Sequence, residues 1–243
     1  MEPERIRELM AAVGWPDLVA PVFFLLCWMG YAAYADGRLA RTASLMGRIH
    51  QYRELWMRRM LARDNRISDL AALSVLTQSN AFFASSSVLI VGGCLAILGA
   101  RDQAVAVLDE IPLVPVTPLV LYEMKVLLLV VVFVYAFFKF TWSLRQFNYV
   151  AILIGAAPPQ EAAHLPESLC YAQNAAMVAS RAAEHFTKAL RSYYFGLAAL
   201  SWFLQPWLFA ALTAVVVLVV YRREFHSSTL VAVGRVGEPI PGA

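Results

Sequence analysis

Few side chains in this chain could do chemistry, and they are scattered. Four histidines, His50, His164, His185 and His226, are spread through 243 residues, and none sits in the middle of an apolar segment. A haem held by two histidines between membrane helices therefore has no ligand pair, and no cofactor is expected. Cys27, Cys94 and Cys170 show neither CxxC nor Cys/His spacing, so no disulfide framework or zinc site is expected. Glu184 beside His185 does not make HExxH, and GxSxG, P-loop and GxGxxG patterns are absent from the sequence. With no nucleophile, base or acid set in view, the expectation is a protein that is not an enzyme. One juxtaposition stays open: His50 and His185 can meet if the helices carrying them pack together.

Two further sets point to contact rather than catalysis. Gln78, Ser85, Gly92 and Gly99 recur every seven residues, with Ala81 and Ala96 beside them. On a helix they share one face. In lipid such a face serves close helix packing, or its polar groups line a pore. The second set is an arginine block. From Arg38 to Arg66 there are eight arginines, no lysine, and only Glu54 and Asp64 to balance them. Arg58, Arg59 and Arg63, together with Arg145, are candidates for binding anionic lipid or a partner, or for ringing the inner mouth of a pore.

The elements that must position these residues are membrane helices. Hydrophobic residues make up 60% of the chain and charged residues 15%, well below the roughly 25% charge of soluble domains. The formal net charge of +3 in so apolar a chain argues against a nucleic-acid binder. A transmembrane helix needs about 20 mostly apolar residues. Four segments qualify: about Asp17–Ala35, Gln78–Leu98, Leu119–Ser143 and Phe195–Tyr221. The acidic start, with Glu2, Glu4 and Glu8, does not read as a signal peptide. Short loops rich in Lys and Arg stay inside. With both termini outside, twelve Lys and Arg fall on the inner side and six on the outer. Arg222 and Arg223, just past the fourth span, dissent from that orientation. The third span carries Glu123 and Lys125 near its outer end and Lys139 near its inner end, and the other spans carry no charged residue at their middles, which disfavours ion-coupled transport.

The two inner segments have their own periodicity. Leu45, Ile49, Tyr52, Trp56 and Met60 put a stripe on one face of a helix over 44–63. Leu169, Ala172, Ala176, Ala179, Ala183, Phe186, Leu190 and Tyr193 alternate in steps of three and four, a heptad seam with an alanine centre. Such a seam lets two helices approach closely, and the 44–63 helix and a second copy of the chain are both available partners. Pro166 marks a first helical turn after the breaker at Pro158 and Pro159. No strong breaker interrupts 68–98, 119–154 or 167–221, so long helices are expected to extend past the bilayer.

Three stretches together, NAFFASSSVLIVGG (80–93), FFKFTWSLRQFNYVAILIGAAP (137–158) and LRSYYFGLAALSWFLQPW (190–207) with VVYRREF (219–225), resemble a bacterial and plant membrane family, domain of unknown function 599. The resemblance covers about residues 15–228. It implies an integral membrane protein of about four helices and transfers no site residue.

The expected fold is all-α: a polytopic membrane protein with four transmembrane helices whose cytoplasmic extensions, over 44–75 and 144–194, form a bundle. Residues 1–228 form one domain and 229–243 a flexible tail. The expected function is a homo-oligomeric pore or channel for small ions or solutes in the bacterial inner membrane, with Gln78, Ser85 and Gly92 on the pore or packing face. The alternative is a scaffold or accessory subunit that binds anionic lipid or a membrane-protein partner through the basic helix.

Overall fold

The computed structural model describes residues 14–37, 43–109 and 118–234. The acidic N-terminal segment, Arg38 and Arg41, the prolines of 111–117 and the tail from 235 lie outside these residues. Among the described residues the structure is all helical. In chain order the α-helices are α1 (Trp15–Ala35), α2 (Leu45–Leu61), α3 (Ile67–Gly99), α4 (Arg101–Asp109), α5 (Leu119–Gly155), α6 (Pro166–Leu200), α7 (Pro206–Phe225) and α8 (Ser228–Val233).

Local chemistry accounts for several boundaries. Ser44 caps α2, its Oγ accepting from the Gly47 N–H at 3.3 Å. Pro166 opens α6 where a missing amide costs nothing. α1, α3 and α5 are long and apolar enough to cross a membrane, with mean hydropathies of 1.8, 2.2 and 2.3. That composition is consistent with a membrane protein. At 33 and 37 residues, α3 and α5 exceed the roughly 20 residues a bilayer requires.

The stretch expected as a fourth continuous span, Phe195–Tyr221, is divided. α6 ends at Leu200, a 3-10 turn covers Ser201–Phe203, and α7 starts at Pro206. Proline has no N–H to donate and its ring clashes with the carbonyl four residues back. Pro206 therefore cannot continue α6, but it suits the first turn of α7.

The chain forms two compact units. The first takes the described residues up to Tyr34, of Ser87–Ala136 and of Arg191–Val220. The second takes those of Ala35–Ser86, of Phe137–Leu190 and from Tyr221 onward.

The alanine seam organises the second unit. Ala172, Ala175, Ala176, Ala179, Ala182 and Ala183 of α6 are buried with Met57, Met60 and Leu61 of α2, Leu73 of α3, and Phe147, Val150 and Ile154 of α5. The α2 stripe thus packs on its own protein, turned so that Met57 and Leu61 join Met60 inside while Tyr52 stays exposed. A polar thread crosses the same core. Asn80 Nδ2 donates to Ser143 Oγ at 2.9 Å, and Ser143 Oγ donates to the Ala182 carbonyl at 2.6 Å.

The segment expected as a flexible tail starts with α8, capped by Ser227. Tyr52 of α2 donates its hydroxyl to the Val233 carbonyl at 2.7 Å. α8 therefore lies against α2 within the second unit.

The first unit is aromatic at its centre. Phe24 of α1 packs against Phe195 and Phe209, with ring centroids 5.7 and 5.1 Å apart. Trp202, in the turn between α6 and α7, stacks on Phe209 at 5.3 Å. Gly196 of α6 faces the buried Phe133 ring so closely that a Cβ would come within 2.8 Å of it. Gly196→Leu should therefore destabilise the protein by about 1–3 kcal/mol, the usual cost of overpacking. A lower melting temperature in detergent checks this; an unchanged one would mean that Phe133 can move aside.

Candidate functional site

In the second unit, α2 and α6 flank a half-open cavity of about 600 Å³. Its walls are Met46, Gly47, His50 and Gln51 from α2, with Met177, Ser180, Arg181, Glu184 and His185 from α6. The residues recur at steps of three and four on each helix, so two helical faces supply the whole lining. His50 and His185, far apart in sequence, both line it.

His50 Nδ1 shares a hydrogen bond with Ser180 Oγ at 2.6 Å, and His50 Nε2 lies 3.4 Å from Glu54 Oε1. The carboxylate favours a proton on Nε2, which leaves Nδ1 to accept from the Ser180 hydroxyl. The chain Ser180–His50–Glu54 has the order of a nucleophile relay. Ser180, however, lies in the middle of α6, where backbone amides already donate along the helix and form no oxyanion hole. The chain therefore orders the cavity wall.

Charge around the cavity is partly compensated. Burial pushes the Arg53 guanidinium down to about 10, and Glu184 opposes that shift. Arg53 remains protonated at neutral pH and faces Glu184 electrostatically. Burial, reinforced by Lys139 and Lys188, pushes His185 down to about 4 against the opposing pull of Asp36. His185 is therefore neutral near pH 7. Its Nδ1 is buried without a hydrogen-bond partner, and its ring meets Trp142 edge-on at 6.4 Å.

The arginines expected at a lipid or partner surface divide into two groups. Arg58 and Arg59 are exposed and form no ion pair among the described residues. Arg145 is also exposed, its Nε donating to the Tyr149 hydroxyl at 2.8 Å. Arg63 is committed elsewhere. It pairs with Asp69, a carboxylate only 1% exposed in the first turn of α3, which also accepts from Trp56 Nε1 at 2.6 Å. Reversing the Arg63 charge would break a structural contact, so it does not belong with Arg58 and Arg59 as a free surface cation. Arg66 donates to the Ala157 and Pro158 carbonyls just past the end of α5. A cation there also complements the helix C-terminus.

Gln78, Ser85 and Gly92 are all exposed on α3, as are Ala81, Ala96 and Gly99. A Cβ built on Gly92 or Gly99 would meet nothing within 4 Å. The small residues of this face therefore serve no close approach inside one copy of the chain.

Sequence reasoning missed a buried group in the first unit. Lys125, 4% exposed, has its Nζ 3.9 Å from Asp17 Oδ1 and 5.7 Å from the Trp202 ring centroid. Asp17 Oδ1 also accepts from Trp202 Nε1 at 2.9 Å. Asp17 and Lys125 are 108 positions apart in sequence, and the only local signal is an acid and a base that each border an apolar run.

The profile of a family described as "Protein of unknown function, DUF599" matches residues 19–229. No curated protein and no solved structure matches the chain.

Two outcomes follow from this geometry. Asp69→Ala leaves Trp56 Nε1 and Arg63 without their acceptor and should cost about 2–3 kcal/mol, as breaking a part-buried pair does. Asp69→Asn keeps an acceptor oxygen and should cost less, and equilibrium unfolding of both variants checks the order. The second outcome concerns pH. The native chain holds His185 neutral down to about pH 4, whereas the unfolded chain protonates it near 6.5. Between those values unfolding takes up a proton, so stability should rise from pH 4 to 6.5 and level off above. His185→Gln should flatten that part of the profile; an unaltered slope would assign it to other groups.

Proposed function

The chain belongs to the DUF599 family, and from its own residues we propose a homo-oligomeric membrane protein whose α3 helices meet around a polar path for small ions or solutes. One observation carries this reading: Gln78, Ser85 and Gly92 lie on an outward face of a 33-residue apolar helix. A glutamine side chain facing hydrocarbon is costly, because its amide finds no partner there. Glycine and alanine on the same face permit backbones to approach, the usual device of helix contacts in lipid. A second copy satisfies both, and the hydroxyl and amide groups left at the seam give the path its polarity.

In this reading the second unit's arginines lie on the inner side, in the plasma membrane of a bacterium. The contact between Tyr52 and Val233 supports adding Arg222 and Arg223 to that side. The positive charge is then more one-sided than with both ends outside.

A second reading is favoured by the exposure of Arg58 and Arg59: a scaffold without a chemical step, holding anionic lipid or a partner through α2.

The test uses a cysteine-free background with Ser85→Cys. Oxidation should crosslink Ser85→Cys chains into dimers, while Phe138→Cys, on an outward face of α5, should not crosslink. Liposomes carrying the protein should pass small ions or solutes. A strict monomer in mild detergent together with tight liposomes would overturn the proposal. If Arg58→Glu/Arg59→Glu also releases the protein from anionic vesicles while the fold persists, the scaffold reading takes its place.

A further inference from the structure

On the reading that copies meet along α3, we infer that this contact continues past the membrane as a parallel, in-register seam on the aqueous side. At 33 residues α3 is about 50 Å long. At the usual tilt of about 20° it reaches about 47 Å along the membrane normal, and the hydrocarbon core is about 30 Å thick. About a third of α3 therefore stands outside lipid. In the second unit the start of α3 is that part. Asp69 accepts from Trp56 of α2, and Leu73 is buried with Met57 and Met60 of α2. Arg58 and Arg59 of the same helix are exposed, and exposed guanidinium groups do not sit in hydrocarbon. Ile67 and Val75, 70% and 63% exposed, thus present apolar side chains beyond the reach of acyl chains.

The period of that face identifies what covers it. Val75, Phe82, Leu89 and Ala96 recur every seven residues. Gln78, Ser85 and Gly92 follow the first three at an offset of three. The combined steps of three and four make an unbroken heptad stripe, and every position on it from Ala71 to Gly99 is exposed. Leu73, Asn80 and Ala84 are buried on the opposite side of the helix. A stripe of this period fits another helix crossing at about 20°, whereas acyl chains impose no period. The stripe keeps its phase from the aqueous end through the apolar length of α3, so one partner helix of similar length has to follow it through both environments. A second copy supplies that helix, and it lies parallel because every copy inserts in the same direction. Parallel pairing sets Val75 against Val75 and Phe82 against Phe82, alternating with layers of Gln78, Ser85 and Gly92. Apolar layers at the aqueous end gain free energy by leaving water, which layers within lipid do not. The aqueous end therefore drives the association and sets the register of the membrane portion.

Disulfide formation in membranes tests this, with the full chain in a cysteine-free background. Val75→Cys should form a dimer on oxidation. Ala72→Cys, exposed at nearly the same level but off the stripe, should stay monomeric. When Val75→Cys and Phe82→Cys chains are co-expressed, the mixed dimer should be absent, because one heptad separates the positions by about 10 Å along the helix. Val75→Glu should lower the yield of Ser85→Cys dimers about tenfold, since it opposes two carboxylates in one layer. Its melting temperature should stay that of the parent, and Ala72→Glu should leave the yield unchanged. An undiminished yield with Val75→Glu overturns the proposal, and an abundant mixed dimer overturns the register. Ser85→Cys dimers without Val75→Cys dimers overturn the aqueous seam and leave the membrane contact standing. Loss of both removes the homo-oligomer itself, whereas Val75→Cys dimers with tight liposomes uphold the seam and remove only the polar path. If Val75→Cys forms no dimer yet resists a water-soluble maleimide that labels Ala72→Cys, a different protein covers the stripe and the proposal falls.

Discussion

Close approach at the alanine face of α6 is the constraint on which the second unit depends. Six alanines from Ala172 to Ala183 are buried there. A methyl side chain lets a neighbouring helix come within the short interaxial range, and any larger residue would force the helices apart. Met57, Met60 and Leu61 then reach the seam from α2, with Phe147, Val150 and Ile154 from α5. The cavity is the complement of that packing. Its polar lining of Ser180, Arg181, Glu184 and His185 interleaves with the seam alanines along the same stretch of α6.

Polar contacts fix what the apolar seam leaves adjustable. Hydrophobic packing is non-directional, so register along α6 needs groups with geometry. Ser143 supplies one, bridging Asn80 and the Ala182 carbonyl. Asp69 and Arg66 supply two more, where the chain turns from α2 into α3 and where it leaves α5. Buried ion pairs are weak evidence for net stability, but they are intolerant of alternatives, and that suits a core whose alanines alone could slide.

Much of this was legible in the sequence. The helix over 44–63, the start of α6 at Pro166 and the alanine face all follow from period and from proline chemistry. That His50 and His185 line one cavity followed from topology once α2 and α6 were taken as partners. The roles within the arginine block were not legible. Arg58, Arg59 and Arg63 look alike in a charge run, and only the fold reveals that Arg63 has a buried carboxylate six residues on. Pro206 was visible but was absorbed into a long apolar run, because hydropathy weighs composition and not the missing amide. The pairing of Asp17 with Lys125 depends on α1 and α5 meeting, which no local pattern encodes. The exposed face of α3 was readable as a face, but which way it points is a tertiary fact.

The break at Ser201–Gln205 sets one indole where three helices can be tied at once. Trp202 follows the end of α6, donates its Nε1–H to Asp17 near the start of α1, and stacks on Phe209 in the first turn of α7. A single ring thus pins the start of the first long helix to the start of the last.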